Sequence, residues 1–276
     1  MKIKIVADSS CDIYTLEHAD FESVPLHIIV GDNDFTDDAT LDVSTMQNAL
    51  DLHKDKTSTS CPAPAQWVAA FGDADVVFCI TITGQLSGSN NSAVLAKKLY
   101  EEEHPGRKVH VLDSLSTGPE VTLILEKLEE LISSGLDPDE ILEKIVLYMI
   151  HTHLYFSLTT LNNLARNGRV NPLLARGIGM LGIRIIGKAS EEGTLQTIDK
   201  ARGDKKAVLS LVKHLKKCGY KDGKIIIAHN NNPSTAELLK KAIENTFGSF
   251  NGYVHRCGGL DSYYAEPGSI LVGFEA

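Results

Sequence analysis

Short β-branched runs alternate with longer amphipathic ones through the first half of this chain, and loops of Ser, Thr, Asp and Gly separate them. No other feature restricts the fold as much. When each strand is followed by a helix before the next strand, the product is a parallel sheet covered by helices. Residues 3–7 read as the first strand and Asp8-Ser9-Ser10 as its exit turn. Residues 23–30 read as the next strand, leading into an acidic turn over 31–38; Ser44, with Gln47 three residues on, predicts a boxed helix start running to about Leu52. A hydroxyl-rich loop over 57–64, stiffened by Pro62 and Pro64, precedes a helix over 66–71. Strands over 76–82 and 108–112 exit through 83–90 and 113–118 into helices ending near Glu103 and covering 121–133. Asp137-Pro138-Asp139-Glu140 supplies a cap, a first-turn proline and a capping Glu for a helix to about Met149.

Around His151 the pattern changes. The remainder reads as a turn at Asn167-Gly168-Arg169, a glycine-interrupted helix over 173–180, and strands over 183–188 and 194–200. A helix over 205–217, a strand over 224–229, a capped helix over 234–246 and a last strand over 270–274 complete it. The expected fold is α/β in two α/β domains. Residues 1–155 form one with a mostly parallel sheet flanked by helices, and residues 156–276 form a smaller sheet-and-helix layer domain.

Charge and cysteine usage exclude several functions. The 27 Lys plus Arg against 36 Asp plus Glu give −9, which repels nucleic acid where no basic stripe intervenes, and none is present. No apolar run approaches the ~18 residues of a membrane span, and the first residues carry no secretory signal pattern. The five cysteines (Cys11, Cys61, Cys79, Cys218, Cys257) are scattered, with no CxxC pair, so a reducing cytoplasm is the expected compartment.

In a parallel sheet, ligands collect beyond the carboxyl ends of the strands. Ser9 and Ser10, Thr59 and Ser60, Ser87 and Ser89, Ser114 and Ser116 fall in those exit loops, and Gly84, Gly88 and Gly118 let backbone approach a ligand. A cup of neutral donors and helix-end N–H groups suits a carboxylate or phosphate, although each hydroxyl also reads as an ordinary cap. Enzyme motifs fail. Gly84-Gln85-Leu86-Ser87-Gly88 misses the nucleophile elbow by one residue and lacks a Walker lysine. His151 and His153 have ligand spacing, but no HExxH or paired carboxylate completes a metal site, so neither metal nor cofactor is expected. Asp8, Asp113 and Asp37 or Asp38 read as acid–base candidates or as loop ties, and His229 as a ligand orienter or a half-buried strand-end histidine. The basic run over 200–206 reads as a solvated turn or a dock for an acidic partner or phosphate.

Several segments together resemble the DegV family. Val6-Ala7-Asp8-Ser9-Ser10-Cys11-Asp12 is similar to its V-x-D-S-x-x-D opening, Val24-Pro25-Leu26-His27-Ile28 to v-P-L-x-i, and Thr59-Ser60-Cys61-Pro62-Ala63-Pro64 to T-S-Q-P-S-P. Leu86-Ser87-Gly88-Ser89 resembles L-S-G-T, Asp113-Ser114 the D-S after the third strand, and 164–170 the L-x-x-G-G-R-I turn. Lys200-Ala201-Arg202-Gly203 with Ala207 resembles K-x-R-G-x-x-x-A, and Pro267-Gly268 ends a changed H-T-G-P-G.

This resemblance implies a bacterial protein that binds one long-chain fatty acid, its tail in an apolar tunnel and its carboxylate near the domain junction. It also implies a partner, the separate ATP-binding subunit of a fatty acid kinase. Carried over by position, Thr59, Ser60 and Ser87 contact the carboxylate, Gly88 offers an N–H, and Tyr264 stands where the family has His. Ala265 and Glu266 replace the following Thr and Gly, and Arg184-Ile185 replaces a Lys-Pro. Arg169, Arg202 and Lys205 are expected partner or phosphate contacts. Hydroxyl donors satisfy a buried carboxylate without a buried cation, and a tail contributes ~0.8 kcal/mol per buried methylene. Two other classes stay open: an enzyme on a small acid or phosphate with Asp8 or Asp113 as base, and a partner-binding module with an altered pocket.

Overall fold

The computed structural model describes residues 1–175 and 182–276. Its first body contributes β1 (Ile3–Asp8), β2 (Phe21–Val24), β3 (His27–Val30), β4 (Asn33–Thr36), α1 (Val43–Leu52) and β5 (Ser58–Ser60). It continues with α2 (Pro64–Phe71), β6 (Val76–Thr81), α3 (Ser89–Glu103), β7 (Lys108–Asp113), α4 (Pro119–Ser133) and α5 (Pro138–Met149). Strands β2-β1-β6-β7 form a four-stranded sheet in which every pairing is parallel. Alternation sends Ile5, Ala7, Phe78 and Ile80 to α4 and α5, and Val6, Val77 and Cys79 to α2 and α3, where Trp67 and Tyr100 are fully buried. Burial on both faces explains why β6, inside this sheet, reads as a continuous apolar run.

The expected strand over 23–30 is in fact two strands in different sheets. Pro25 has no N–H to give a ladder, and the Leu26 N–H donates to Ser9 Oγ at 3.0 Å, so pairing breaks there. β2 stays in the parallel sheet. β3 pairs antiparallel with both β4 and β5, which places Thr59 opposite Ile28. The segment expected as an acidic turn therefore contains β4, and the hydroxyl loop contains β5. Helix α1 starts at Val43, capped not by Ser44 but by Asp42, whose carboxylate accepts the Ser44 N–H at 3.0 Å. The Asp137 cap and Glu140 box of α5 are as expected.

The second body holds β8 (Thr152–Leu158), α6 (Asn162–Arg166), α7 (Pro172–Ala175), β9 (Ile183–Ala189), β10 (Leu195–Arg202) and α8 (Asp204–Cys218). β11 (Ile225–His229), α9 (Pro233–Phe247), β12 (Gly252–Arg256), α10 (Gly259–Ala265) and β13 (Ile270–Glu275) follow. Most of the helix expected over 173–180 lies outside the described residues. The sheet order is β10-β9-β8-β13-β11-β12, antiparallel except at β11–β12. One face carries Tyr155, Ile227, Val272 and Phe274 against α8 and α9. The other carries Leu154, Phe156, Leu158 and Leu271 toward the first body. α4 packs on both sheets, which is why its first turns are buried all round. A border between 155 and 156 cuts β8 in its middle.

Candidate functional site

Carboxylates tie the exit loops of the parallel sheet into one rim. Fully buried Asp8, at the end of β1, accepts from Ser10 Oγ (2.5 Å), Ser89 Oγ (2.5 Å) and the Ile82 N–H (3.0 Å). Asp113, at the end of β7, accepts from the Gly84 N–H (3.0 Å) and the Leu115 N–H (3.0 Å). Burial pushes the Asp8 carboxyl up and its hydroxyl partners pull it down. Both residues are occupied as loop ties, and neither borders the cavity described next, so the acid–base reading of Asp8 and Asp113 finds no geometry here.

Between this rim and the inner face of the six-stranded sheet lies a cavity with largely apolar walls. Leu154, Phe156 and Leu158 of β8, at period two, form one wall with Leu271, while Leu26, Ile82 and Leu260 form the opposite one. Ala189 and Leu195, at the ends of β9 and β10, border it as well. Polar groups gather where β5, the Leu86–Ser87 loop and α10 meet. Thr59 Oγ1 and Tyr264 OH are 2.8 Å apart, and the Arg169 guanidinium lies 5.7 Å from the Tyr264 ring centroid. Arg169 Nε donates to the Leu86 carbonyl at 3.0 Å, which fixes it beside Ser87. Ser87 Oγ accepts the Ser89 N–H at 3.2 Å, so Ser87 is a helix cap whose own hydroxyl hydrogen remains to donate. Burial raises the Tyr264 phenol, which stays protonated and a donor near neutral pH.

The structure thus brings together Thr59, Ser87, Tyr264 and Arg169, all on the cavity wall. Ser60 points the other way along β5 into solvent, and Gly88 is exposed at the start of α3, so neither borders the cavity. Arg202 and Lys205 are exposed near the β10–α8 turn, away from it. Arg184 pairs with Asp204 at 2.6 Å. Glu266 turns its carboxylate to the Asn163 N–H (3.0 Å) and Thr160 Oγ1 (3.1 Å), so its charge holds the start of α6. His153 packs on Phe274, and His229 is nearly buried with its pKa lowered by burial. No cluster of three metal-type side chains occurs among the described residues.

Sequence reasoning missed α10 and Asp261 on it, while Asp37, read as an acid–base candidate or a loop tie, serves as a tie to its first turn. Asp12 accepts the Gly258 N–H at 2.8 Å, and Asp37 accepts those of Gly259 (2.7 Å) and Leu260 (3.0 Å). Asp261, on α10 itself, accepts from Thr117 Oγ1 at 2.9 Å. Burial, then the charge of Asp261, holds Asp12 well above the ordinary carboxylate range; burial takes Asp261 to about 7. The Oδ2 atoms of Asp12 and Asp261 receive no other hydrogen among the described residues, and one shared proton satisfies both. The signal available was the second Asp of the D-S-x-x-D opening and the Gly258-Gly259 pair.

Gly118 is indispensable to this contact. Its φ is +56°, and an added Cβ would lie 2.3 Å from Asp261 Oδ2. Gly118→Ala is expected to destabilise the chain by about 2 kcal/mol, from left-handed backbone plus displacement of Asp261. Chemical denaturation checks this, and an unchanged midpoint would refute it.

A family model described as "Uncharacterised protein, DegV family" matches residues 2–276. A DegV domain-containing protein of Streptococcus pneumoniae is 44% identical over 279 positions, covering 100% of this chain and 99% of its own. The crystal structure of a DegV family protein from Eubacterium eligens, loaded with heptadecanoic acid, matches with TM-score 0.97 and 44% identity over 99% of each chain. The Streptococcus pneumoniae Fatty Acid Kinase (Fak) B3 protein, loaded with linoleic acid, matches with TM-score 0.97 and 44% identity over 100% of this chain and 99% of that one. With family landmarks in order from β1 to β13 and relatives matched end to end, the chain belongs to the DegV family.

Proposed function

We propose that this chain binds one long-chain fatty acid without transforming it, and presents the carboxyl group to a separate ATP-binding kinase subunit. The observation that carries the reading is a cavity whose walls are largely aliphatic and whose hydroxyl donors cluster where Thr59, Ser87 and Tyr264 meet. Relatives of the same architecture hold heptadecanoic and linoleic acids, which supports it. The carboxylate accepts from Ser87 and from whichever of Thr59 and Tyr264 does not donate to the other, with Arg169 beside them supplying positive charge, and the tail runs along β8 and Leu271. Exposed Arg202 and Lys205 form the face offered to the acidic or phosphate-bearing partner. The two α/β bodies act as domains, divided ahead of β8 rather than at 155 and 156. The five cysteines are unbridged, which fits work in the cytoplasm.

Mass spectrometry of the purified, denatured chain is expected to release one long-chain acid in near-stoichiometric amount; an empty cavity or a polar small molecule would overturn the proposal. Ser87→Ala removes a donor to a desolvated carboxylate and is expected to weaken binding by about 1 to 3 kcal/mol, read by calorimetric titration. Undiminished affinity would leave Ser87 a cap alone.

A further inference from the structure

Among the described residues Arg169 is the only side chain on the cavity wall that carries a positive charge; Asp261 and Tyr264 are the other titratable groups there. Whatever fixes that charge therefore bears on any anion the cavity holds. An arginine side chain has many rotamers, and a guanidinium left to wander exerts little net pull on a carboxylate. Here it is tied at two points. Its Nε donates to the Leu86 carbonyl at 3.0 Å and its Nη1 to the Asn167 carbonyl at 2.8 Å, and its remaining N–H donors are uncommitted among the described residues. The Leu86 carbonyl belongs to the first body, and the Asn167 carbonyl to the end of α6.

That second acceptor is held by its own side chain. Asn167 Nδ2 donates to the Asn163 carbonyl (2.9 Å), which closes the end of α6, and to the Tyr263 hydroxyl (2.9 Å), which ties that end to α10. Both amide hydrogens are thereby committed. Tyr263 is fully buried, and its hydroxyl also meets Thr57 Oγ1 at 2.7 Å. Thr57 thus pairs with Tyr263 as Thr59 pairs with Tyr264, so one hydroxyl pair holds the turn that carries Arg169 while its neighbour borders the cavity. Backbone bonds such as that from the Arg169 N–H to the Leu164 carbonyl (2.8 Å) shape the turn itself. The Asn167 amide joins it to α10.

We infer that Asn167 is a positioning residue for the ligand's carboxylate: its amide, anchored on the Tyr263 hydroxyl, sets the Arg169 guanidinium beside Ser87 and Tyr264 and so places the positive charge that the carboxyl group meets. Asn167 does not itself border the cavity. It has this role only where the cavity is an acyl site, the reading on which the inference rests. An amide that merely supported the fold would affect every ligand of the cavity alike; one acting through Arg169 affects a charged head and spares a neutral one.

The test compares octadecanoic acid, labelled with carbon-13 at its carboxyl, with 1-octadecanol, which has the same tail on a neutral head. Both are titrated calorimetrically into the delipidated full chain and its variants, with circular dichroism confirming each fold. Asn167→Ala is expected to bind the acid about 3- to 10-fold more weakly, the loss of about one net hydrogen bond, and the alcohol within about twofold of wild type. Carbon-13 NMR is expected to place the pKa of the bound carboxyl about one unit higher in Asn167→Ala, because a cation held less closely favours the carboxylate less. Tyr263→Phe keeps the ring and is expected to move both readouts the same way, so it carries the test should Asn167→Ala not fold. In an Arg169→Ala background, Asn167→Ala is expected to move neither. A bound carboxyl whose pKa is the same in wild type, Asn167→Ala and Tyr263→Phe overturns the inference, as does an equal loss for acid and alcohol, or a loss that persists without Arg169. Octadecanoic acid failing to bind the wild-type chain would instead defeat the acyl reading, and this inference with it.

Discussion

Asp261→Asn is expected to melt at a higher temperature than the wild-type chain at pH 8, and at the same temperature near pH 4. In the folded chain burial holds the Asp261 carboxyl at about 7, against an ordinary value of 3.8. A carboxyl raised by folding binds its proton more tightly folded than unfolded. Its contribution is complete below about pH 4, is lost as pH climbs through about 7, and is constant above that. For an isolated group this spread corresponds to about 4 kcal/mol; the proton is shared with Asp12, and about half of that is the expected gain. Asparagine keeps the shape of the contact. Its Oδ1 still accepts from Thr117, and its amide can donate to Asp12 Oδ2 at every pH, replacing the shared proton. A gain of ~2 kcal/mol amounts to several degrees in a chain of this size. The measurement is the difference between the two melting temperatures from pH 4 to pH 8.5. A difference that does not grow over this range would mean that the Asp12–Asp261 pair carries no excess proton.

The same contact marks the limit of what the sequence discloses. β6 is legible because a strand covered on both faces is apolar throughout, β1 and β7 because of their short β-branched runs, and their exit loops are legible because helices begin there with hydroxyls and glycines. Those signals marked a set of loop hydroxyls, and the resemblance to the DegV family narrowed the set to Thr59, Ser60 and Ser87. Alternation along β5 separates Thr59 from Ser60: adjacent residues on a strand face opposite ways, so both could not serve one cavity. Reading 57–64 as a loop hid that rule. Pro25 was visible, but its effect depends on Ser9 Oγ capturing the Leu26 N–H, a contact made 17 residues away. α10 has only seven residues and lacks a side-chain cap of its own; carboxylates from distant Asp12 and Asp37 hold its first turn. Local pattern cannot find a helix whose cap is long-range. Asp8 and Asp113 illustrate the converse, since strand-end carboxylates look alike in sequence whether they act on a substrate or tie loops. Their complements of backbone and hydroxyl donors decide for ties.

Ala189→Trp is expected to abolish tight binding of long acyl chains while sparing short ones. Ala189 stands at the end of β9, on the face that looks into the cavity, with Ile185 and Gly187 at period two behind it. Gly187 carries no side chain because the Phe156 ring fills that place; an added Cβ would lie 2.2 Å from it. Ala189 borders the cavity and packs against the cluster of Leu154, Phe156 and Leu271, and an indole there projects into the cavity. It would exclude on the order of five methylenes of a bound tail, and at ~0.8 kcal/mol each the loss is about 4 kcal/mol, several hundredfold in affinity. Overpacking is limited to contacts at the rim, so folding stability is expected to fall by no more than about 1 to 3 kcal/mol. Competition titrations with octadecanoic and decanoic acids separate the two effects, because the shorter acid reaches the Thr59–Tyr264 contact without needing the blocked length. A uniform loss for both acids would locate the damage at the carboxylate contact. Unchanged octadecanoic acid binding would place the tail outside this cavity altogether.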